Sequence, residues 1–408
     1  MNVPLSRPDI SDLEIEYVCR ALRSGQLSLG PCVREFEEKF AAFVGARHAV
    51  AVSSGTAGLH LAVCALGIGP GDEVLTTAFS FVASANCALF EGALPIFVDI
   101  DAASLNLDPR RAREYLQRTC FFDRDSEVVT DLETGRCVRA ILPVHVFGLP
   151  CDVDSLLELA EEYRLPVIED ACEALGATVH GRSVGTFGDL GVFAFYGNKQ
   201  MTTGEGGMIV TGNEELAVLC RSLRNQGRAA QTDWLCHARL GYNYRLSDIH
   251  AALGLAQLER IGHLLENRAR VARLYQSRLA NHPLLELPAD PVDAVRSWFV
   301  FPLRLRAAAG HSNPAFRDLV LAELRQRGVA CQWYFPAIHR QPYFQNGVFG
   351  PRRTLPCTEE ASDCSFVLPF FARMTAEEVG YVCDALLDIL GGKASEATSI
   401  CAAASAAQ

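Results

Sequence analysis

From about residue 48 the chain alternates short apolar runs with longer amphipathic ones. HAVAVSS reads as a strand, and AGLHLAVCALG behind it as a helix stopped by glycine. DEVLTT, LPIFVDI, VRAILPVHVFG and LPVIEDA read as further strands. FVASANCALFEG, DPRRAREYLQR and VDSLLELAEEYR fall between them as helices, the second opened by Asp-Pro. The strand runs are apolar throughout rather than alternating, so both faces are covered, and the strand–helix order makes the sheet parallel. Two more apolar runs, GVFAFY and GGMIVTG, follow with little helix between them, which predicts a part of the sheet with a different connection.

After Arg245 the pattern changes. LSDIHAALGLAQLERIGHLLENRARVARLYQSRLANH keeps helical periodicity for more than thirty residues, the length of a helix that bridges two units. WFVFPLRL and GVACQWYF then read as strands, PAFRDLVLAELRQRG and TAEEVGYVCDALLDIL as helices. The expected class is therefore α/β, with a mostly parallel sheet in a large domain and a smaller α+β C-terminal domain. The expected division is an N-terminal segment over 1–30, the large domain over 31–260, the small one over 261–390, and a loose small-residue tail over 391–408.

Composition narrows the function classes. The net charge of −11 argues against a nucleic-acid or anionic-membrane binder, which needs clustered Lys and Arg. No apolar run is long enough to predict a membrane span, and MNVPLSRPDISDLEIE has no signal-peptide core. Fifteen cysteines, an odd number without a C-x-x-C, read as reduced thiols of a cytoplasmic protein, and the ten histidines show no metal spacing with them.

In open parallel sheets, ligands bind beyond the carboxyl ends of the strands. That singles out Ser53–Thr56, Phe79–Phe81, Asp99, His145, Asp170 and Lys199. VSSGTAGLHL places Ser54, Gly55 and Thr56 where a helix begins, an anion site by its free N–H groups or simply an N-cap. PVIEDACEALGA ends a buried strand in Glu169-Asp170, of which one faces each side. GVFAFYGNKQMTTGEGGMIVTG sets Lys199 between two buried runs beside a glycine-rich segment. Most lysines are solvated; one held in partly desolvated surroundings is a Schiff-base nucleophile.

These segments resemble the DegT/DnrJ/EryC1/StrS family of sugar aminotransferases. The resemblance runs from about Gly30 to about residue 385. It is carried in order by SSGTAGLHL, GDEVLTTAFSFVASA, VHVFGLPCDVD, IEDACEALGA, FYGNKQMTTGEGGM, GYNYRLSDIHAALGLAQLE, YFPAIH and VLPFF. It implies the aspartate-aminotransferase (type I) fold, pyridoxal 5'-phosphate (PLP) as cofactor, and a homodimer with each active site at the subunit interface. Position by position, Lys199 matches the Schiff-base lysine and Asp170 the acid paired with the pyridine nitrogen. Phe81 matches the aromatic stacked on the ring, and Ser54, Gly55 and Thr56 the phosphate cradle. Asn243 matches an asparagine that reaches the phosphate from the partner subunit. His237, Arg245 and His339 are the substrate-side candidates, with Arg228 a second candidate for a sugar nucleotide's diphosphate.

Two departures stand out. Many members have Ser where this chain has Ala194, so one phosphate contact is missing. Many have Gln where this chain has Glu173; Glu there is similar to the GDP-perosamine synthase-like members, and a buried Glu needs a partner or a proton. The resemblance implies amino transfer from glutamate, through pyridoxamine phosphate, to a nucleotide-linked keto-sugar, a 4-keto-6-deoxyhexose by motif. Three alternatives stay open: a cyclitol (scyllo-inosose-type) aminotransferase, a sugar dehydratase, and a non-catalytic regulatory relative. Dehydratase relatives carry His in place of the lysine, and intact Lys199 and Asp170 argue against the last two.

Overall fold

The computed structural model describes residues 1–229, 236–291, 293–306, 314–346 and 353–405. The elements of the first part, in chain order, are α1 (Asp12–Ser24), α2 (Pro31–Val44), β1 (His48–Val52), α3 (Gly55–Ala65), β2 (Asp72–Thr77), α4 (Ala83–Phe90), β3 (Leu94–Val98) and α5 (Pro109–Thr119). They continue as β4 (Cys120–Asp123), β5 (Val128–Asp131), β6 (Cys137–Leu142), α6 (Val153–Tyr163), β7 (Ile168–Asp170), β8 (Thr178–Val179), β9 (Arg182–Ser183), β10 (Leu190–Ala194), β11 (Gly207–Thr211) and α7 (Glu214–Leu223). After them come α8 (Asp248–Glu259), α9 (Ile261–Leu279), β12 (Leu285–Glu286), β13 (Ala294–Val295), β14 (Phe301–Leu305), α10 (Pro314–Gln326), β15 (Gln332–Trp333), α11 (Pro356–Cys364), β16 (Ser365–Leu368) and α12 (Ala376–Ser405).

β3, β2 and β6 pair in parallel, and parallel bridges Ile141↔Val167 and Val144↔Asp170 carry the sheet on to β7. β10 pairs in parallel with β7, and β11 runs antiparallel between β10 and β1. The different connection expected between GVFAFY and GGMIVTG is this antiparallel return. The segment joining β10 to β11 carries Lys199, and no crossover helix lies within it. Every residue of β11 and all but the last of β10 are buried, as strands covered on both faces must be. The parallel strands therefore open their carboxyl ends, and the Lys199 segment, along one edge.

The smaller sheet is antiparallel, in the order β12-β14-β16-β15, and packs with α9, α10 and α12 around Tyr275, Phe301 and Phe366. Val3, fully buried, bridges to Val329 and joins this second core, so the chain's first residues pack at its far end.

Four expectations change. The helix read as continuous from Leu246 to His282 is two, α8 and α9, broken at Arg260 (φ −101°, ψ 5°). Arg260 turns there onto the N-terminal segment, donating to Asp9 at 2.8 Å and Glu14 at 2.6 Å. The tail read as loose is helical as far as Ser405, in keeping with the helix propensity of its alanines; residues 406–408 lie outside the described ones. The strand VRAILPVHVFG stops at Leu142, and Val146–Gly148 form a 3₁₀ turn. α1 had no counterpart in the apolar pattern, yet Ser11 and Glu14 form a complete capping box at its start.

Glu14 and Asp9 are buried carboxylates whose charge Arg260 offsets. Burial works against both charges. Hydrogen bonds from Arg373 and Arg260 nevertheless hold Asp9 below its ordinary value, and those from Ser11, Arg260 and Gln257 do the same for Glu14. Arg260→Met leaves buried Glu14 without a cation and Asp9 with Arg373 alone, and is expected to cost about 3 kcal/mol in urea unfolding near neutral pH. Because both folded values are depressed, their stabilisation is present above the unfolded values near ~4 and lost as pH falls below them. The variant and wild type should accordingly converge in stability on acidification; an unchanged gap at low pH would contradict the ion-pair account.

Candidate active site

Lys199, Asp170, Glu173, Phe81, Gly55 and Tyr334 line one cleft of about 320 Å³ at the carboxyl edge of the sheet, within the range of small-ligand sites. Ser54 caps α3, its hydroxyl accepting from the Ala57 N–H at 3.1 Å. The first turn of α3 leaves unpaired N–H groups and the positive end of the helix dipole facing an anion. Gly55 is dictated by space: a Cβ there would lie 2.7 Å from the Ala194 Cβ and 2.9 Å from the Cys172 Sγ. Thr56 also lines the cleft.

β7 settles which acid faces the cleft. Glu169 turns to the other side, where it accepts from the N–H groups of Gly185, Phe187 and Gly188 and from His145. Asp170 faces the cleft, its Oδ2 accepting from the Ser84 hydroxyl at 2.7 Å and its Oδ1 from the Cys172 N–H at 3.1 Å. Ser80 extends the chain of hydroxyls to Ser84 at 2.9 Å. His145 and Asp99, also flagged at strand ends, are structural: His145 accepts from the Cys151 N–H, and Asp99 accepts from the first-turn N–H groups of α11.

Lys199 is one of three lysines in the chain, and the side chains of Lys39 and Lys199 are both described. Lys39 is an exposed partner of Glu35 on α2. The Lys199 ammonium nitrogen lies 3.6 Å from Glu173 Oε1 and 3.9 Å from the centre of the Phe299 ring. The other Glu173 oxygen accepts from the Phe147 N–H at 2.9 Å, so this buried Glu has two partners. Burial nonetheless raises its pKa above the usual carboxylate range.

The segment around Lys199 is clamped from α9. Arg268, 4% exposed, donates to the carbonyls of Lys199 at 2.7 Å, Asn198 at 3.1 Å and Phe299 at 3.0 Å. No carboxylate among the described residues pairs with it, and burial depresses its guanidinium to about 10. The same cation thus fixes both Lys199 and the ring its amine lies over.

Phe81 stands in the loop after β2 with 59% of its surface exposed, an aromatic face waiting for a planar partner. The buried Asn198 Oδ1 in the same cleft has no partner among the described residues. A dry carboxylate, a held amine, an open aromatic and a helix N-terminus together fit a pyridine ring bearing an aldehyde and a phosphate. Strand-end position in the sequence missed Ser84, Tyr334, Phe299 and Arg268. Ser84 was findable, one helical turn after Phe81.

Of the other candidates, Asn243, His237, Arg245 and His339 do not line this cleft. Asn243 is exposed and pairs its backbone with Asn225. His237 is exposed and bonds the Gln226 carbonyl, and Arg245 bonds the Asn225 and Gln226 side chains. His339 lies 3.0 Å from Glu359. Ala194 lines the cleft next to Gly55 with no hydroxyl to offer.

Residues 8–387 match the DegT/DnrJ/EryC1/StrS aminotransferase family. The chain belongs to that family. It is a PLP-dependent aminotransferase with the type I fold. The chain is 35% identical over 400 residues to the spore coat polysaccharide biosynthesis protein SpsC of Bacillus subtilis, a match covering 96% of this chain and 97% of SpsC. Among solved structures it is similar to DesV of S. venezuelae (32% identity, TM-score 0.82, 94% of this chain and 97% of DesV). It is also similar to PseC of Helicobacter pylori, an aminotransferase involved in the biosynthesis of pseudoaminic acid (25% identity, TM-score 0.85, 95% and 99%). A third neighbour of this aminotransferase is 3-amino-5-hydroxybenzoic acid synthase (29%, TM-score 0.84, 96% and 99%).

Arg268→Met keeps the stem of the side chain and removes the clamp. It is expected to lower kcat about a hundredfold while leaving far-UV circular dichroism unchanged, since a displacement near 1 Å at a catalytic group costs about that much. A variant with wild-type kcat would show that the lysine segment is held by something else.

Proposed function

We propose that this enzyme transfers an amino group from glutamate to the keto group of a nucleotide-linked sugar, a 4-keto-6-deoxyhexose. It would work as a homodimer in which Asn243 of each subunit reaches the cofactor phosphate of the other. The observation that carries the substrate class is a second cavity, of about 410 Å³, lined by no carboxylate and by Arg221, Arg224, Arg228, Arg239 and Arg245, of which Arg224 is ion-paired with Glu37. Such a lining on a protein of net charge −11 suits a diphosphate, which a free cyclitol lacks. Asn225, which pairs with the Asn243 backbone, lines the same cavity, so the face that offers Asn243 to a partner also offers these cations. The roles of SpsC and PseC, in polysaccharide and pseudoaminic acid biosynthesis, agree with a sugar substrate.

Bound PLP supplies an electron sink for the bond-breaking at the amino-bearing carbon. The chain's own residues do the rest. Lys199 Nζ holds the cofactor and, once displaced by an amino donor, moves the proton as general acid and base. Asp170, oriented by the Ser84 hydroxyl and the Cys172 N–H, would pair with the ring nitrogen and hold its proton. Phe81 covers one ring face, and the first turn of α3 receives the phosphate. Glu173 stands next to the amine and offsets its charge when protonated.

Purified protein with PLP should show a visible band that bleaches on adding glutamate and returns with a suitable keto-sugar nucleotide. Activity with inososes but with no sugar nucleotide in a substrate panel would overturn the substrate class. Lys199→Ala is expected to abolish multiple turnover. Mixing inactive Lys199→Ala subunits with Asn243→Ala subunits should restore part of the activity, because one site of each mixed dimer then has both residues; no recovery would contradict the shared site.

A further inference from the structure

Beside α3, outside the cleft lining, four side chains from three parts of the chain form a bonded cluster. His60, 3% exposed, leaves the middle of α3, Glu91 follows the end of α4, and Tyr242 and Tyr244 flank Asn243. His60 Nε2 lies 2.7 Å from Glu91 Oε1, and the Tyr242 hydroxyl donates to the same oxygen at 2.6 Å. The Tyr244 hydroxyl lies 3.2 Å from His60 Nδ1. Both ring nitrogens of His60 are thus engaged, one by Glu91 and one by Tyr244. The rings pack as well, His60 edge-on to Tyr242 at 4.7 Å and Tyr242 stacked on Tyr244 at 5.1 Å.

Cys64 stands beside the cluster, its Sγ 4.0 Å from the Tyr242 hydroxyl. Burial pushes its thiol up to about 12, and His60 already spends both ring nitrogens on hydrogen bonds. His60, Glu91, Tyr242 and Tyr244 thus form a hydrogen-bonded network with Cys64 at its edge. A network satisfied to this degree fixes geometry.

What it fixes is the segment 242–244. In an extended segment, side chains alternate between sides. With Tyr242 and Tyr244 both turned onto α3 and Glu91, Asn243 is turned outward, and it is exposed. The backbone is pinned in the same register. The Tyr242 N–H donates to Leu223, the Tyr244 N–H to Arg224, and the Tyr244 carbonyl accepts from Ser53 at 2.8 Å. Ser53 adjoins the phosphate cradle of its own chain.

Resting on the reading that Asn243 serves the partner's cofactor, we propose that His60, Glu91, Tyr242 and Tyr244 form a positioning device that sets how Asn243 is presented to the neighbouring subunit. The helix that cradles one phosphate thereby also aims a ligand at the other. None of the four is a catalytic residue; each acts through Asn243.

The test is a double-mutant cycle on cofactor affinity, read by titrating the protein with PLP, with thermal melts alongside. Asn243→Ala is expected to weaken PLP binding about tenfold, and Glu91→Gln to do the same. Glu91→Gln added to Asn243→Ala should change affinity by less than about twofold, because the device then has nothing to aim. Tyr244→Phe, which removes one hydroxyl and keeps the packing, provides the same cycle if Glu91→Gln fails to fold. An equal loss from Glu91→Gln in both backgrounds would overturn the proposal, placing the effect on the chain's own cradle. Wild-type affinity in Glu91→Gln and Tyr244→Phe alone would overturn it too. Wild-type affinity in Asn243→Ala would instead overturn the reading of Asn243 on which the proposal stands.

Discussion

The active site depends on one buried cation that has no counter-ion among the described residues. Arg268 reaches from α9 and spends its guanidinium on main-chain carbonyls, those of Asn198 and Lys199 on one side and Phe299 on the other. Carbonyl dipoles are weaker partners than a carboxylate, so the group is held at a cost in solvation that three converging oxygens offset. The result is geometric. The segment between β10 and β11 has no regular structure of its own, yet its lysine is fixed against Glu173, over Phe299, and beside the strand end that carries Asp170. A carboxylate partner for Arg268 would have neutralised the clamp and added a competing acceptor near the amine.

The sheet supplies the other half of the arrangement. Parallel strands open on one edge, and β11 returns antiparallel, so the lysine segment closes over that edge instead of crossing a face. Glu169 and Asp170, adjacent in sequence, part to opposite sides of β7. One is consumed by the backbone of 185–188, and the other stays in the cleft. Gly55 lets the α3 N-terminus approach to where any side chain would strike Ala194 and Cys172.

Much of this was legible in the sequence, for a physical reason. Lys199, Asp170, Gly55 and Phe81 all sit at strand ends, which apolar runs mark directly, and their order along the chain carries the family resemblance. Arg268 and Phe299 were not legible, because they meet the lysine from 69 to 100 positions away and look like an ordinary helix arginine and core phenylalanine. The break at Arg260 escaped because a one-residue interruption barely shifts a helical pattern; only the ion pairs to Asp9 and Glu14 reveal its use. The tail misled in the other direction, since small residues read as loose although alanine is the best helix former. Asn243, Arg245, His237 and His339 lie outside the cleft of their own chain.

The central claim is that Lys199 carries the cofactor. The chain contains only three lysines, at 39, 199 and 393, so reducing the PLP-loaded protein with borohydride and mapping the modified peptide by mass spectrometry tests it directly. The account predicts one phosphopyridoxyl group per chain, on Lys199. Modification of Lys39 or Lys393 with Lys199 unmodified, or no modification in protein that shows the visible band, would contradict it.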